Sequence, residues 1–163
     1  SEKYFKHNED VIRKELSPSS DIQQKLVSKY PDLLKSSVSI HIRRTDYIRQ
    51  QQNHPLQPIE YYEEGLKLIP NFDVIYVFSD DIEWCKENLK FDKMVFVQND
   101  SDQEDLWHMA MCSYNIIANS SFSWWGAWLN SNPNKVVIAP NLWFGDSLNL
   151  PTNDLIPSDW TKI

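Results

Sequence analysis

Short apolar runs recur along the chain at residues 38–42, 74–78, 94–97, 115–118 and 136–139. Each has the length of a strand, and the stretches between them carry helical spacing of apolar positions. Those helical stretches cover 58–69, 81–89, 102–113 and 121–131. Pro58 suits the first turn of a helix, and Asp80 or Asp81 suits an N-cap. Strands and helices that alternate in this way predict an α/β domain: a Rossmann-like, mostly parallel sheet of about five strands with helices on both faces. In front of it, residues 1–16 read as one amphipathic helix on Tyr4, Phe5, Val11, Ile12 and Leu16. "SPSSD" breaks that helix, and a second begins near Ser20 and ends before Pro31. The chain therefore divides into a helical lead-in over 1–36 and an α/β domain over 37–163. The tail from Pro140, rich in Pro, Asn and Asp, is expected to wrap the surface.

Composition narrows the class. The 163 residues suffice for one sizeable core, and 41% of them are apolar. A formal net charge of −7 argues against a general nucleic-acid binder. Cys85 and Cys112 are the two cysteines, which makes neither a disulfide framework nor a zinc site. They fit a reducing compartment. No apolar run approaches the roughly 20 residues that cross a bilayer, and no signal peptide is visible. With only Gly65, Gly126 and Gly145, the chain has no glycine-rich phosphate loop.

Four stretches could carry chemistry. "HIRRTDY", His41 to Tyr47, follows the first predicted strand, whose Ser39–Ile42 alternation reads as half-buried. Ligands of parallel sheets bind at that carboxyl edge. Arg43 and Arg44 present planar forks that match the oxygens of a diphosphate. Asp46 could orient an arginine or accept a hydroxyl, and His41 could meet a base or a sugar. The alternative is a salt-bridge network in which Asp46 ties down an arginine. "ANSSFSWWGAWLN", Ala118 to Asn130, puts Ser120 and Ser121 where a helix begins, a place suited to phosphate or to ordinary capping. Trp124, Trp125 and Trp128 follow at helical spacing and read as core. "NSS" at Asn119 and "NDS" at Asn99 match glycosylation sequons. "NDSDQEDLWHM", Asn99 to Met109, is rich in carboxylates. Most of them suit a helix start, while one facing the ligand edge could accept the paired N–H donors of guanine. "FSDD", Phe78 to Asp81, could hold a metal, but capping of the next helix fits it better.

Taken in order, "HIRRTDY", "VFSDD" and "NSSFSWWGAWLN" resemble glycosyltransferase family 11, the α-1,2-fucosyltransferases, and the resemblance covers most of the chain. It implies a GT-B-like fold of two Rossmann-like halves. It also implies metal-free, inverting transfer of L-fucose from GDP-fucose to a galactose-containing glycan, with no cofactor besides the donor. Arg43 and Arg44 would grip the diphosphate and His41 would contact guanine. Asp46 would lie near the fucose hydroxyls, with Arg43 and Asp46 as the catalytic pair. Ser120, Ser121 and Phe122 match a Ser-Ser-Phe turn at the phosphates, and Asp105 falls where related enzymes carry a guanine-binding aspartate. Members often have Gly where Thr45 stands. Members also begin with a "GGLGNQ"-like segment and a whole first domain. The 163 residues thus resemble the carboxyl-terminal, donor-binding half, expected to be inactive without its amino-terminal domain. The expected location is the bacterial cytoplasm, with the Golgi lumen as the animal alternative. A non-catalytic GDP-binding module and a carbohydrate-binding domain with exposed Trp124 and Trp128 are the rival readings.

Overall fold

Strand β1, Ser37–Ile42, is buried along its whole length. The alternation of its sequence predicts one wet face, yet Ser37, Ser39 and His41 are as buried as Val38, Ile40 and Ile42. The reason is its central place in a sheet covered on both sides. Its polar side chains have partners there: Ser37 Oγ donates to the Leu33 carbonyl, and Asn115 Nδ2 donates to Ser39 Oγ at 2.7 Å.

In a computed structural model, which describes residues 1–148 and 150–163, the chain forms six strands and six α-helices among the described residues. The remaining strands are β2 (Val74–Ser79), β3 (Met94–Phe96), β4 (Tyr114–Ile116), β5 (Val137–Ala139) and β6 (Thr161–Lys162). The helices are α1 (Glu9–Glu15), α2 (Ser20–Lys29), α3 (Ile59–Leu68), α4 (Ile82–Asn88), α5 (Asp102–Met111) and α6 (Ser121–Leu129). All pairings are parallel, and the strand order is β3-β2-β1-β4-β5-β6. This is the Rossmann-like doubly wound order, which reverses direction between β1 and β4.

The side chains of β1 divide the core. Val38, Ile40 and Ile42 pack with Tyr61, Tyr62 and Leu89 of the α3–α4 side. On the other side Leu26 of α2 and Met109 of α5 pack on Tyr76 and Phe78. A third cluster joins α6 to β5. A buried amide network pins the centre: Asn115 Nδ2 also donates to the Met109 carbonyl at 2.8 Å, and its Oδ1 accepts Asn130 Nδ2 at 2.8 Å. Cys85 and Cys112 are free and buried.

Two expectations are corrected. Residues 1–16 are not one helix; 3-10 turns at Glu2–Tyr4 and Lys6–Asn8 precede the short α1. Phe5 and Ile12 pack toward the tryptophans of the third cluster, whereas Tyr4 and Val11 stay exposed. The tail does more than wrap the surface. Residues 161–162 add a sixth strand, and Trp143 and Trp160 are buried in the third cluster. Such a strand escapes a periodicity search, because two residues have no period. Residue 149 of that tail lies outside the described residues.

Candidate functional site

The point where the sheet reverses, between β1 and β4, is where doubly wound folds bind ligands. The chain leaving β1 carries Arg43 to Tyr47, and the chain leaving β4 carries Asn119 to Phe122 into α6. A cleft of about 240 Å³ sits at this edge, lined by His41, Arg43, Phe78, Asp80, Asp105 and Phe122, with Ser79 and Asp102. The fold thus brings together His41, Arg43, Asp105 and Phe122 from stretches distant in sequence.

Two of these side chains hold polar atoms with no partner. His41 Nδ1 and Asp105 Oδ1 are buried without a hydrogen bond. Burial pushes the His41 imidazole down to about 4, so it is neutral at pH 7. Burial pushes the Asp105 carboxyl up to about 6, leaving it mostly ionised at pH 7 and poorly solvated. An unmatched buried group of this kind costs roughly 1–3 kcal/mol, and such costs collect where a ligand supplies the missing bond. Asp105 is singled out from its neighbours by what they do. Ser101 caps α5 by accepting the Glu104 N–H, and Glu104 pairs with Lys25 at 2.7 Å.

The two arginines part company. Arg43 faces the cleft, with its Nε donating to Asp46 Oδ1 at 2.9 Å and lying 3.3 Å from Asp80 Oδ2. Arg44 turns toward α4, where its Nε donates to Asp81 Oδ2 at 3.2 Å and its guanidinium carbon lies 3.6 Å from the centre of the Trp84 ring. The structure places Arg43 with the cleft and Arg44 beside it, in a contact that holds the fold. Asp46 is half-exposed and does not line the cleft itself. The Arg43 hydrogen bond holds its carboxyl below the ordinary range.

The helix start at α6 is open. Ser120 stands at the N-cap position, yet no side chain caps the first turn. This excludes ordinary capping by Ser120 or Ser121 and leaves first-turn N–H groups at the positive end of the helix. By contrast Asp81 does cap α4, accepting the Trp84 N–H. The role of Asp80 is one that capping does not describe. Its carboxylate accepts the backbone N–H of Arg44 and Thr45 and the Thr45 hydroxyl, so it ties the β1 exit to the end of β2. The signal was present in "FSDD", but only the parallel β1–β2 pairing shows which aspartate reaches across. No group of three or more His, Cys, Asp or Glu side chains able to hold a metal occurs among the described residues.

Trp124 and Trp128 are buried at 5% and 2% exposure, not exposed as the carbohydrate-binding reading expected. Asn119 is also buried, and its Nδ2 donates to the carbonyls of Pro55 and Trp143 at 3.1 and 3.0 Å, which closes that sequon.

Known proteins resemble this chain in sequence and in fold. The model of glycosyl transferase family 11 matches residues 1–163. An alpha-1,2-colitosyltransferase of Escherichia coli is 36% identical over 177 residues, covering 100% of this chain and 60% of the relative. The O-antigen biosynthesis glycosyltransferase WbnK of Escherichia coli is 37% identical over 150 residues, covering 86% of this chain and 48% of the relative. The chain spans about half the length of the curated relatives it matches. A crystal structure of NodZ alpha-1,6-fucosyltransferase soaked with GDP-fucose superposes with a TM-score of 0.50 at 15% identity, over 68% of this chain and 42% of that one. At that identity the likeness is one of fold.

Proposed function

The chain belongs to glycosyltransferase family 11, and on that premise we propose that it is the donor-binding part of a fucosyltransferase. The reaction is inverting transfer of L-fucose from GDP-fucose to a galactosyl hydroxyl in α-1,2 linkage. The observation that carries the reading is the pair of unmatched buried atoms, His41 Nδ1 and Asp105 Oδ1, in one cleft with Arg43.

Guanine presents N1–H and an exocyclic amine side by side, a pair that a carboxylate accepts and that adenine lacks. Asp105 is the acceptor, and neutral His41 adds a single bond to base or ribose. Arg43 and the uncapped N–H groups of α6 then meet the diphosphate. In the reaction the acceptor hydroxyl attacks the fucose anomeric carbon, its proton passing to a general base, and the bond from that carbon to the β-phosphate oxygen breaks. GDP leaves with charge growing on that phosphate. Arg43 and the helix start are fixed before the charge develops, so they stabilise it without reorganising. Asp46 fixes the angle of Arg43 and lies on the side where fucose hydroxyls emerge. Arg44 contributes charge from the flank.

In a two-domain cleft the seat for the acceptor belongs to the opposite domain, and an acceptor that is not positioned there loses most of the proximity advantage of transfer. Calorimetric titration with GDP, guanosine, ADP and UDP tests the reading. Binding of GDP with clear preference over ADP and UDP is expected. Equal affinity for all three diphosphates would overturn the assignment of Asp105 and His41 to the base.

A further inference from the structure

A second cavity lies on the same sheet edge, on the other side of the first turn of α6. It measures about 370 Å³ and is lined by Tyr47, His54, Ser121, Trp125 and Phe144, with Phe5 at its border. That is the size and character of a small-molecule site, mainly aromatic with a few polar groups. Its aromatic walls are arranged rather than scattered. His54 stacks on Tyr47 with ring centres 4.9 Å apart and planes 21° apart, and Phe144 lies 6.1 Å from His54. The Tyr47 hydroxyl donates to the Asn119 carbonyl at 2.9 Å, which fixes the ring against the β4 exit. One polar atom is left over: His54 Nδ1 is buried with no partner.

The two cavities flank the first turn of α6. Ser121 lines this one and Phe122 lines the nucleotide cleft, so consecutive residues of one helical turn face the two sites. Arg43, which lines the nucleotide cleft, has its guanidinium carbon 5.9 Å from the centre of the Tyr47 ring. A ligand whose diphosphate lies over this turn and Arg43 has its base on the Asp105 side. Its remaining group lies on the Tyr47 side.

We propose that the aromatic cavity is the subsite for the donor's pyranose ring, a 6-deoxyhexose, and that His54 Nδ1 bonds one of its hydroxyls. This rests on the nucleotide-sugar reading of the adjoining cleft. The chemistry suits the walls: a deoxyhexose presents C–H faces and a methyl group to the aromatic rings. Its hydroxyls require few but definite partners, which His54 and the Ser121 hydroxyl can supply.

The test compares GDP with GDP-fucose on the 163-residue chain and on two variants, His54→Leu and Phe144→Ala, by calorimetry. Trp125 carrying a ¹⁵N-labelled indole is followed by NMR in the native chain. GDP-fucose is expected to bind more tightly than GDP. Each variant should reduce that advantage by roughly tenfold, the scale set by small changes in an apolar pocket, while GDP affinity moves less than about twofold. GDP affinity also certifies that a variant is folded. The Trp125 indole should shift with GDP-fucose and with methyl α-L-fucoside, but not with GDP.

An unchanged GDP-fucose advantage in both variants overturns the proposal and leaves the nucleotide reading standing. A shift with methyl α-L-fucoside in a chain that fails to bind GDP sinks the nucleotide reading and supports the sugar site. A shift with methyl β-D-galactoside but not the fucoside makes the cavity an acceptor site and overturns its assignment to the donor.

Discussion

Asp80 holds Thr45 twice, accepting its backbone N–H at 3.1 Å and its side-chain hydroxyl. The same carboxylate accepts the Arg44 N–H at 2.9 Å. Two successive backbone donors and a hydroxyl converge on one side chain, at the bend that aims Arg43 into the cleft. Replacing Asp80 with Ala strands those donors. We expect a stability loss of roughly 1–3 kcal/mol and weaker GDP binding. Thr45→Gly should keep the backbone bonds and cost less. Urea denaturation beside calorimetry separates the two outcomes; Asp80→Ala matching the native chain in both would dismiss the clamp.

The arginines should separate in experiment as they do in space. Arg43→Ala is expected to weaken GDP binding by roughly 1.5–3 kcal/mol, about ten- to hundredfold, with little effect on guanosine. Arg44→Ala loses its contact with Trp84 and Asp81 and should lower stability by roughly 0.5–2 kcal/mol, with the smaller effect on GDP. Thermal melts and titrations of both variants decide it, and the reverse ranking would place Arg44 in the site.

Base recognition should depend on pH through Asp105. Its folded carboxyl titrates at about 6, and only the ionised form accepts two N–H donors. Guanosine affinity should be level above pH 7 and fall as pH drops below about 6. Asp105→Asn should be weak and independent of pH. Using guanosine keeps phosphate titration out of the curve, and a flat profile for the native chain would point to another base reader.

Stability should fall on acidification through the buried histidines. His41 is held down to about 4 and His108 to about 3, both mainly by burial. Between pH 6.5 and those values the unfolded imidazoles take protons that the folded ones refuse. Stability present above 6.5 is therefore lost as pH falls, by up to roughly 1.4 kcal/mol per unit for each imidazole. Asp105 acts oppositely, since its raised value favours the folded state as pH falls from about 6, but it is one group against two. His108 sits among Tyr30, Tyr76 and Phe78 at ring distances of 4.4, 4.5 and 5.0 Å. His108→Leu should therefore fill the space and flatten the stability curve between pH 6.5 and 4. A curve as steep as the native one would exonerate His108.

GDP binding should be indifferent to EDTA or added Mg²⁺. The carboxylates of Asp80 and Asp81 already accept N–H donors from Arg44, Thr45 and Trp84. A metal requirement would show that those bonds give way on binding.

The sequence alone determined the alternation of strands and helices. Burial against a sheet on one side leaves a period that survives in any register, and α3 to α6 each fall within their expected stretches. It also set out the chemistry at the carboxyl edge, because a strand that ends in Arg-Arg or Asn-Ser-Ser places those residues at the edge whatever the sheet order. Tertiary structure decided the rest. The strand order made His41 a buried residue of a central strand and put it in one cleft with Asp105 of α5, which lies far away in sequence. It sent Arg43 inward and Arg44 onto Trp84, a division that two adjacent identical residues cannot announce. It gave Asp80 a partner across the sheet, and Tyr47 and His54 a shared stack beside α6. Periodicity reports only which side of an element is dry. Which atoms meet, and which buried atoms are left without a partner, depends on how separate elements pack.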